Sequence, residues 1–479
     1  LVNTDDLWPD LHEAESQVLR MQAKLHQWAT DSPDRRFSDL FNLVSDPAFL
    51  LVAWDRVRNN RGARSAGVDG VKPNSILFGD WMLAELRDDL KARRFQPLPV
   101  RERMIPKASG KLRRLGIPTT RDRIVQASLK LVLEPIFEAD FKPCSYGFRP
   151  KRRAHDAIAE IHYLGSRSYE WVVEGDIKSC FDEISHPALL QRVRNRIGDK
   201  RVLDLVKAFL NSGILTEDGR RIGTKTGTPQ GGILSPLLAN IALSVLDEHF
   251  AEVWKTKMAT DSIRRRRRIR GEATYRLIRY ADDFVVMVSG TKAHALELKE
   301  EVAAVLTPMG LRLSEEKTTI VHIDEAFDFL GFRIQRQYKR GTNKRFVYTW
   351  PSKKALASIM AKVKTITQMG TNHPLSALLR QLNAVLRGWT TYFRHGSSKA
   401  TFSYVASYAW HRVIGWLHRK HRHANWKSLR RRHLGNGWWP EQDGVSLFNA
   451  GTVPVTRYRY RGAQISTPWD EWTATTNAS

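Results

Sequence analysis

Apolar positions open the chain at helical spacing. Over residues 10–29, Leu11, Val18, Leu19, Ala23 and Trp28 return at near-helical intervals with polar residues between them, which predicts an N-terminal helix. Further on the period changes. "PLPVRERMIPKASGKLRRLGIP" (97–118) alternates in the manner of a strand and breaks at a Ser-Gly turn, predicting a hairpin that carries Lys107, Lys111, Arg113 and Arg114. "WVVEGDIKSCFDEI" (171–184) reads as a buried strand running into a helix. "SPLLANIALSVLDEHF" (235–250) reads as a helix with Ser235 at the cap, Pro236 in the first turn, and Leu238, Ile241, Leu246 and Phe250 on or near one face. The glycine-rich loop "GTPQGG" precedes it, and "SIRRRRRIRGE" (262–272) follows as a solvated loop able to touch phosphate. No internal repeat is visible.

Composition narrows the class. A chain of 479 residues, 42% hydrophobic and with 15 Trp, can bury a large core in two to four domains. Only Cys144 and Cys180 occur, without a CxxC pair, which excludes a disulfide framework and a cysteine-rich zinc site and fits a reducing, cytoplasmic setting. No apolar run approaches the roughly 18 residues of a membrane span, and no signal-peptide pattern opens the chain, so no membrane partner is expected. The first residue is Leu1, which leaves an upstream segment open.

Charge adds a partner. The net charge is +27, and from Phe329 to Pro440 there is no Asp or Glu against 22 Lys and Arg, so most of the excess sits in one segment. A solvated face mixes both signs, whereas a one-sign block interleaved with aromatic rings suits a polyanion. Nucleic acid is the obvious candidate, with Arg430, Arg431 and Arg432 as candidate phosphate contacts and Trp389, Tyr392, Trp410, Trp416 and Trp426 as candidate stacking rings beside the cations. "HRKHRH" (418–423) has no carboxylate or Cys near it and reads as an RNA-facing basic helix rather than a zinc site. The tail "NGWWPEQDGVSLFNAGTVPVTRYRYRGAQISTPW" reads as a small irregular or β-rich appendage without an assigned role.

The sharpest chemical signal is "LIRYADDFVV" (277–286). Strand-like residues flank Ala281-Asp282-Asp283, which predicts a tight hairpin turn, a setting where Asp is at home. Two adjacent carboxylates repel unless a cation neutralises them. Asp176, ending the apolar strand "WVVEGDI", can supply a third carboxylate from an adjacent strand end. Hard oxygen ligands without His or Cys suit Mg²⁺, with Mn²⁺ as a substitute, and two such ions can activate an attacking 3′-hydroxyl and stabilise the leaving oxygen of a phosphoryl transfer.

These residues resemble a known family. "RYADDFVV" is similar to the YxDD motif of reverse transcriptases, "VVEGDIKSCFDEI" to their first palm motif, and "GTPQGGILSPLLANIAL" to the motif that follows. "IPKASGKLRRLGIPTTRDRIVQ", "CSYGFRP", "LRLSEEKT" and "FDFLGFRI" occur in the order seen in group II intron-encoded proteins, over roughly residues 36–335. Beyond them, "LNAVLRGWTTYFRH" and "ASYAWHRVIGWLHRKH" resemble the thumb or maturase domain of the bacterial type. Many relatives carry a Cys/His-containing HNH-like endonuclease domain, for which two cysteines and a Trp-rich tail leave no room.

The resemblance implies roles. Asp176 and Asp282 match metal-ligating carboxylates, the carbonyl of Ile177 a further metal ligand, and Asp283 the third acidic position. Lys107 and Arg113 match residues that hold the incoming triphosphate, although as plain surface charges they would be unremarkable. Gln230 matches a residue beside the nucleotide sugar and primer terminus, against a structural amide in a Gly-rich turn; Lys317 matches a lysine near the triphosphate, against a solvated lysine. Phe181 matches the ring that collides with a 2′-hydroxyl, against a core Phe. Gly331 lies in the segment resembling the primer grip, where a missing side chain permits close backbone approach.

The expected fold is α+β, a right-hand polymerase whose fingers and palm carry an antiparallel sheet, followed by a helical thumb or maturase domain. Its expected parts are an N-terminal helical extension (1–35), fingers and palm (36–345), thumb (346–433) and an appendage (434–479) that is a candidate for nucleic-acid binding. The implied function is RNA-directed DNA polymerisation with binding of group II intron RNA for splicing and retrohoming, using two Mg²⁺, dNTPs, an RNA template with a DNA or RNA primer, and target DNA. Two alternatives stand beside it: a maturase acting mainly by binding RNA, and a reverse transcriptase adopted for CRISPR adaptation or phage defence. Oligomeric state is left open.

Overall fold

The computed structural model describes residues 8–76, 79–106, 110, 112–435 and 438–470, so Lys107 and Lys111 lie outside the described residues. Helix Leu11–Asp31 begins where Asp10 accepts the Glu13 N–H at 2.8 Å, as the apolar spacing predicts. Its buried Ala14, Val18, Leu25 and Ala29 join one core with helices Pro47–Asn59 and Thr120–Glu138. Pro135 explains part of this fit. It has no N–H to offer the Leu131 carbonyl one turn back, and Gln22 Nε2 donates there instead at 2.7 Å, while His26 Nδ1 meets the Pro135 carbonyl at 2.9 Å.

Strands β1 (Val100–Pro106) and β2 (Leu112–Ile117) form the expected antiparallel hairpin. β3 (Trp171–Asp176) belongs to the palm, whereas β4 (Ile214–Leu215) joins β1 in parallel and β5 (Arg221–Ile222) closes that first sheet. The palm sheet runs β6–β7–β3–β8, all antiparallel, with β6 (Thr274–Tyr280), β7 (Asp283–Ser289) and β8 (Thr319–His322). Phe284 to Val288 are fully buried because both faces of the sheet are covered. Phe284, Val286 and Val288 share a core with helices Ser235–Lys257 and Lys292–Leu306; Val285 and Met287 enter a second core with helix Ala154–Gly165.

A third antiparallel sheet, β9 (Phe327–Phe329), β10 (Phe332–Tyr338) and β11 (Arg345–Pro351), leads into helices Lys353–Thr367, Leu375–Phe393 and Lys399–Lys420. Leu378, Leu382, Val405, Val413 and Trp416 form the core of this helical part. Among the described residues the tail adds the short hairpin β12 (Glu441–Gln442) and β13 (Val445–Ser446) against helix Leu375–Phe393 and a 3₁₀ turn at Ala450–Thr452, then runs across the palm. There Arg461 and Tyr458 both bond Asp156, Tyr460 stacks on Tyr163, and Trp469 reaches His26 of the first helix with ring centroids 5.1 Å apart. Both cysteines are free, and among the described residues no helix is long and apolar enough to cross a membrane.

Three local expectations change. Ser235 is the first helical residue, not the cap; Leu234 takes that place and the Ser235 hydroxyl donates to the Pro229 carbonyl at 2.8 Å, tying the helix start to the glycine-rich loop. The arginine-rich segment expected as a loop contains helix Asp261–Ile269, because Thr260 caps it, Asp261 opens it and Arg266, Arg267 and Arg268 close it, the charge order a helix dipole favours. The helix at "HRKHRH" stops at Lys420, leaving His421 and His423 past its end.

Candidate active site and nucleic-acid interface

Asp176 is the last residue of β3 and Asp283 the first of β7, and the register sets them directly opposite each other. Tyr280 pairs with Asp283 across a two-residue turn, Ala281-Asp282, so the hairpin expected from the sequence is present and delivers all three carboxylates to one sheet end. Ala281 takes a positive φ of 57°, an uncommon conformation for a residue with a Cβ. Two devices hold it. A Cβ on Gly147 would fall 2.3 Å from the Ala281 nitrogen, so "CSYGFRP" needs glycine for the chain to press against the turn. Beneath it the fully buried Arg279 donates to the Ala281 carbonyl at 2.9 Å, to Asn240 Oδ1 at 3.0 Å, to Ser145 Oγ at 2.7 Å and to Asp247 Oδ1 at 2.8 Å. Asn240 in turn donates to the Gly147 carbonyl at 2.9 Å.

Electrostatics mark the cluster as short of positive charge. Desolvation by burial, with Asp176 adding repulsion, raises the Asp282 carboxyl above its ordinary value, and Arg113 and Lys317 oppose the shift. Asp283 opens to solvent, yet the desolvated floor and then Asp282 and Asp176 push it up to about 6. Lys317 Nζ lies 2.8 Å from Asp176 Oδ2, so the lysine, though largely solvent-exposed, is a counter-ion of the site. The Asp176 carbonyl accepts the Ser314 N–H at 2.8 Å and the Arg312 carbonyl accepts that of Lys178 at 3.0 Å, which turns the carbonyl of Ile177, one residue out of phase, away from Leu313 and toward the β7 side.

Other predicted residues sit around this centre. Arg113, exposed on β2, acts on Asp282 and Asp283 through its charge. The Gln230 carbonyl accepts the Gly116 N–H at 2.7 Å, and a Cβ on Gly231 would lie 2.8 Å from Gly116 O, so the glycine-rich loop is laid on β2 by its backbone. The Gln230 side-chain amide makes no hydrogen bond among the described residues, leaving it available to a ligand. Phe181 is half-buried against the first core, and its carbonyl takes the Thr228 N–H at 2.6 Å. Gly331 closes the β9–β10 hairpin with a φ of 81°, an angle that favours glycine, and a Cβ there would meet the Phe393 ring at 3.5 Å.

The aromatic half of the basic segment divides. Trp416 is fully buried with its N–H toward the Met369 carbonyl, which removes it from the stacking surface expected. Trp389 lies between Phe393 and Phe402, with centroids 4.8 Å and 5.8 Å away, and Tyr392 donates to the Leu330 carbonyl at 2.8 Å, so both tie the helical part to the β9–β10 turn. Arg430, Arg431 and Arg432 are exposed on helix Trp426–His433, and the Arg430 guanidinium stands 3.4 Å over the Trp438 ring.

Sequence reasoning missed two elements. Glu174, two residues before Asp176, is pushed up to about 7 by desolvation and by Asp328, which adds a protonatable group beside the site. It also missed the Arg279–Asp247 support, whose signal was a charge inside each of two apolar runs, "LIRYADD" and "ALSVLDEHF".

An antiparallel palm with three carboxylates at one end, a basic hairpin over it and a helical thumb define the template-directed nucleotidyl-transfer polymerases. Residues 105–334 match the family model "Reverse transcriptase (RNA-dependent DNA polymerase)", and residues 356–435 match "Group II intron, maturase-specific domain". Protein YkfC of Escherichia coli is 39% identical over 359 residues, covering 71% of this chain and 93% of that protein. The group II intron-encoded protein LtrA of Lactococcus lactis is 33% identical over 359 residues, covering 65% of this chain and 59% of LtrA. A 91 kDa protein in the cob intron of Schizosaccharomyces pombe is 30% identical over 429 residues, covering 77% of this chain and 52% of that one. The chain belongs to the group II intron-encoded reverse transcriptase/maturase family. It spans little more than half the length of the latter two relatives.

Proposed function

We propose that the protein extends a DNA or RNA primer on an RNA template with dNTPs, and that it binds its group II intron RNA to assist splicing and retrohoming into target DNA. The observation that carries this reading is the opposition of Asp176 and Asp283 across β3 and β7 with Asp282 in the adjoining turn. The maturase-specific match over 356–435 favours intron RNA over the CRISPR or defence roles.

The donor set fits divalent metal. Among the described residues no three His, Cys, Asp or Glu side chains form a closed cage, which suits an ion held by one or two carboxylates and completed by substrate phosphates. Asp176, Asp282 and the carbonyl of Ile177 would hold the metal, and carboxyls raised by desolvation and then by mutual repulsion gain from a cation. Two Mg²⁺ ions there would supply activation of the primer 3′-hydroxyl and neutralisation of the leaving pyrophosphate. Lys317, released from Asp176, and Arg113 with Lys107 would hold the triphosphate oxygens. Phe181 would exclude a 2′-hydroxyl, and the free amide of Gln230 would meet the nucleotide sugar. Arg430, Arg431 and Arg432 would contact RNA phosphates.

Incubating the protein with a primed RNA template, dNTPs and Mg²⁺ tests the reading. Template-length DNA that vanishes with chelator is expected; absence of any extension product from folded protein would overturn it.

A further inference from the structure

The C-terminal segment, which lies outside the polymerase centre, builds a second site. Residues 453–461 pass along helix Ala154–Gly165, and between this strap, the helix and the β10–β11 hairpin lies a cleft of about 730 Å³. None of Asp176, Phe181, Asp282 or Asp283 lines it.

The lining is chemically one-sided. It contains no Asp or Glu, and its three long cations, Arg167, Lys339 and Arg457, are exposed and have no carboxylate partner among the described residues. The helix brings two carboxylates near the cleft and both are already held, Asp156 by Arg461 and Tyr458 and Glu160 by Arg276 and Tyr146. Rings stand beside these cations: Tyr163 and Tyr460 stack at 4.5 Å with planes 17° apart, Arg167 lies 3.6 Å over Tyr163, and Tyr348 forms the opposite wall. From Lys339 the positive charge continues out of the cleft along the exposed hairpin tip, through Arg340 and Lys344.

We infer that this cleft binds an unpaired stretch of RNA, one or two nucleotides seated between the strap and the β10–β11 hairpin with the flanking phosphates running along the hairpin tip. Unpaired bases stack on aromatic faces and their phosphates need cations; Tyr163 is already covered by Tyr460 and Arg167, so Tyr460 and Tyr348 are the rings left to meet a base, and the lining itself holds no acid. A duplex is too wide for a cavity of this size, whereas a looped-out or terminal nucleotide fits. An acidic peptide would satisfy the cations but would leave the tyrosine rings without the planar partner that a base supplies. The inference rests on the reading of the protein as an intron-RNA binder and assigns part of that binding to the palm flank and tail, away from the thumb.

The test uses the full chain preloaded with an RNA–DNA primer–template, to which a short oligo(U) carrying 4-thiouridine is added. A ternary complex should form, and ultraviolet crosslinks should fall in residues 338–348 or 453–461. The Lys339→Ala/Arg457→Ala protein removes two phosphate-binding cations, so oligo(U) affinity should drop about tenfold at physiological salt and the log–log salt slope should fall by about 1.4, while primer extension is unchanged. Tyr460→Ala should lower the crosslink yield; if that variant fails to fold, the double variant still decides. Displacement of oligo(U) by the primer–template, unchanged affinity in the double variant, or equal competition by blunt RNA duplex would overturn the inference. Loss of the second strand with extension intact sinks only the cleft, whereas absence of extension in the parent protein sinks the polymerase reading.

Discussion

Arg279 Nη1 donates to the carbonyl of Ala281 at 2.9 Å, so the turn that presents Asp282 is bonded from below by a fully buried guanidinium. The same side chain is paired with the equally buried Asp247 of helix Ser235–Lys257. Removing one partner of such a pair costs about 3–5 kcal/mol. Arg279→Gln should therefore lower stability on that scale and, at temperatures where it stays folded, require a higher Mg²⁺ concentration for half-maximal extension. A folded variant with the parent's Mg²⁺ dependence would reduce Arg279 to a packing role.

Asp283 links metal and pH. Its carboxyl moves from 3.8 to about 6 on folding, so between those values the folded protein holds a proton the unfolded chain has released. Its contribution to stability is present below 3.8, falls as pH rises through the window, and is absent above about 6. A cation relieves the repulsion that raises this carboxyl, and protons compete with it. Mg²⁺ should then raise the melting temperature clearly at pH well above 6 and hardly at all well below it. Equal Mg²⁺ shifts at both ends, read by differential scanning fluorimetry, would contradict this.

Phe181 is assigned the discrimination between sugars. Truncation to Ala should raise ribonucleotide over deoxyribonucleotide incorporation by on the order of a hundredfold. Its ring also packs on the first core, so the ratio of the two rates, insensitive to stability, is the quantity to measure. An unchanged ratio in active enzyme would leave Phe181 as core alone.

Helix Trp426–His433 presents three consecutive arginines to solvent. Replacing Arg430, Arg431 and Arg432 with Ala should reduce the log–log salt slope of RNA binding by about 0.7–0.9 for each phosphate no longer neutralised, with extension on a short primer–template retained. Parallel loss of extension and RNA affinity, with no preference for intron RNA, would assign this helix to gripping the primer–template.

Much of this was legible in the chain. Strict alternation and a Ser-Gly break gave the β1–β2 hairpin, and the Asp-Asp pair between apolar strands gave the palm turn, because both are local patterns with one geometric solution. Long-range fits were not legible. Gln22 supplying the hydrogen bond that Pro135 cannot make joins residues more than a hundred positions apart, and no local period signals it. Trp416 failed for a related reason: cations beside it in sequence suggested an exposed ring, yet helical phase turns it into the core while Arg419 and Lys420 stay toward the surface, bonding the carbonyls that precede the next helix. The positive φ at Gly331 was not legible either, since φ is invisible to composition.

The central claim is that the turn carboxylate Asp282 serves chemistry, not folding. The decisive measurement is primer extension on an RNA template by Asp282→Asn, with melting temperature and template affinity recorded on the same preparation. The account predicts a protein as stable as its parent or slightly more so, since a raised buried carboxylate is replaced by a neutral amide, binding template within a few-fold and giving no detectable extension. Extension at a rate near the parent's would contradict it.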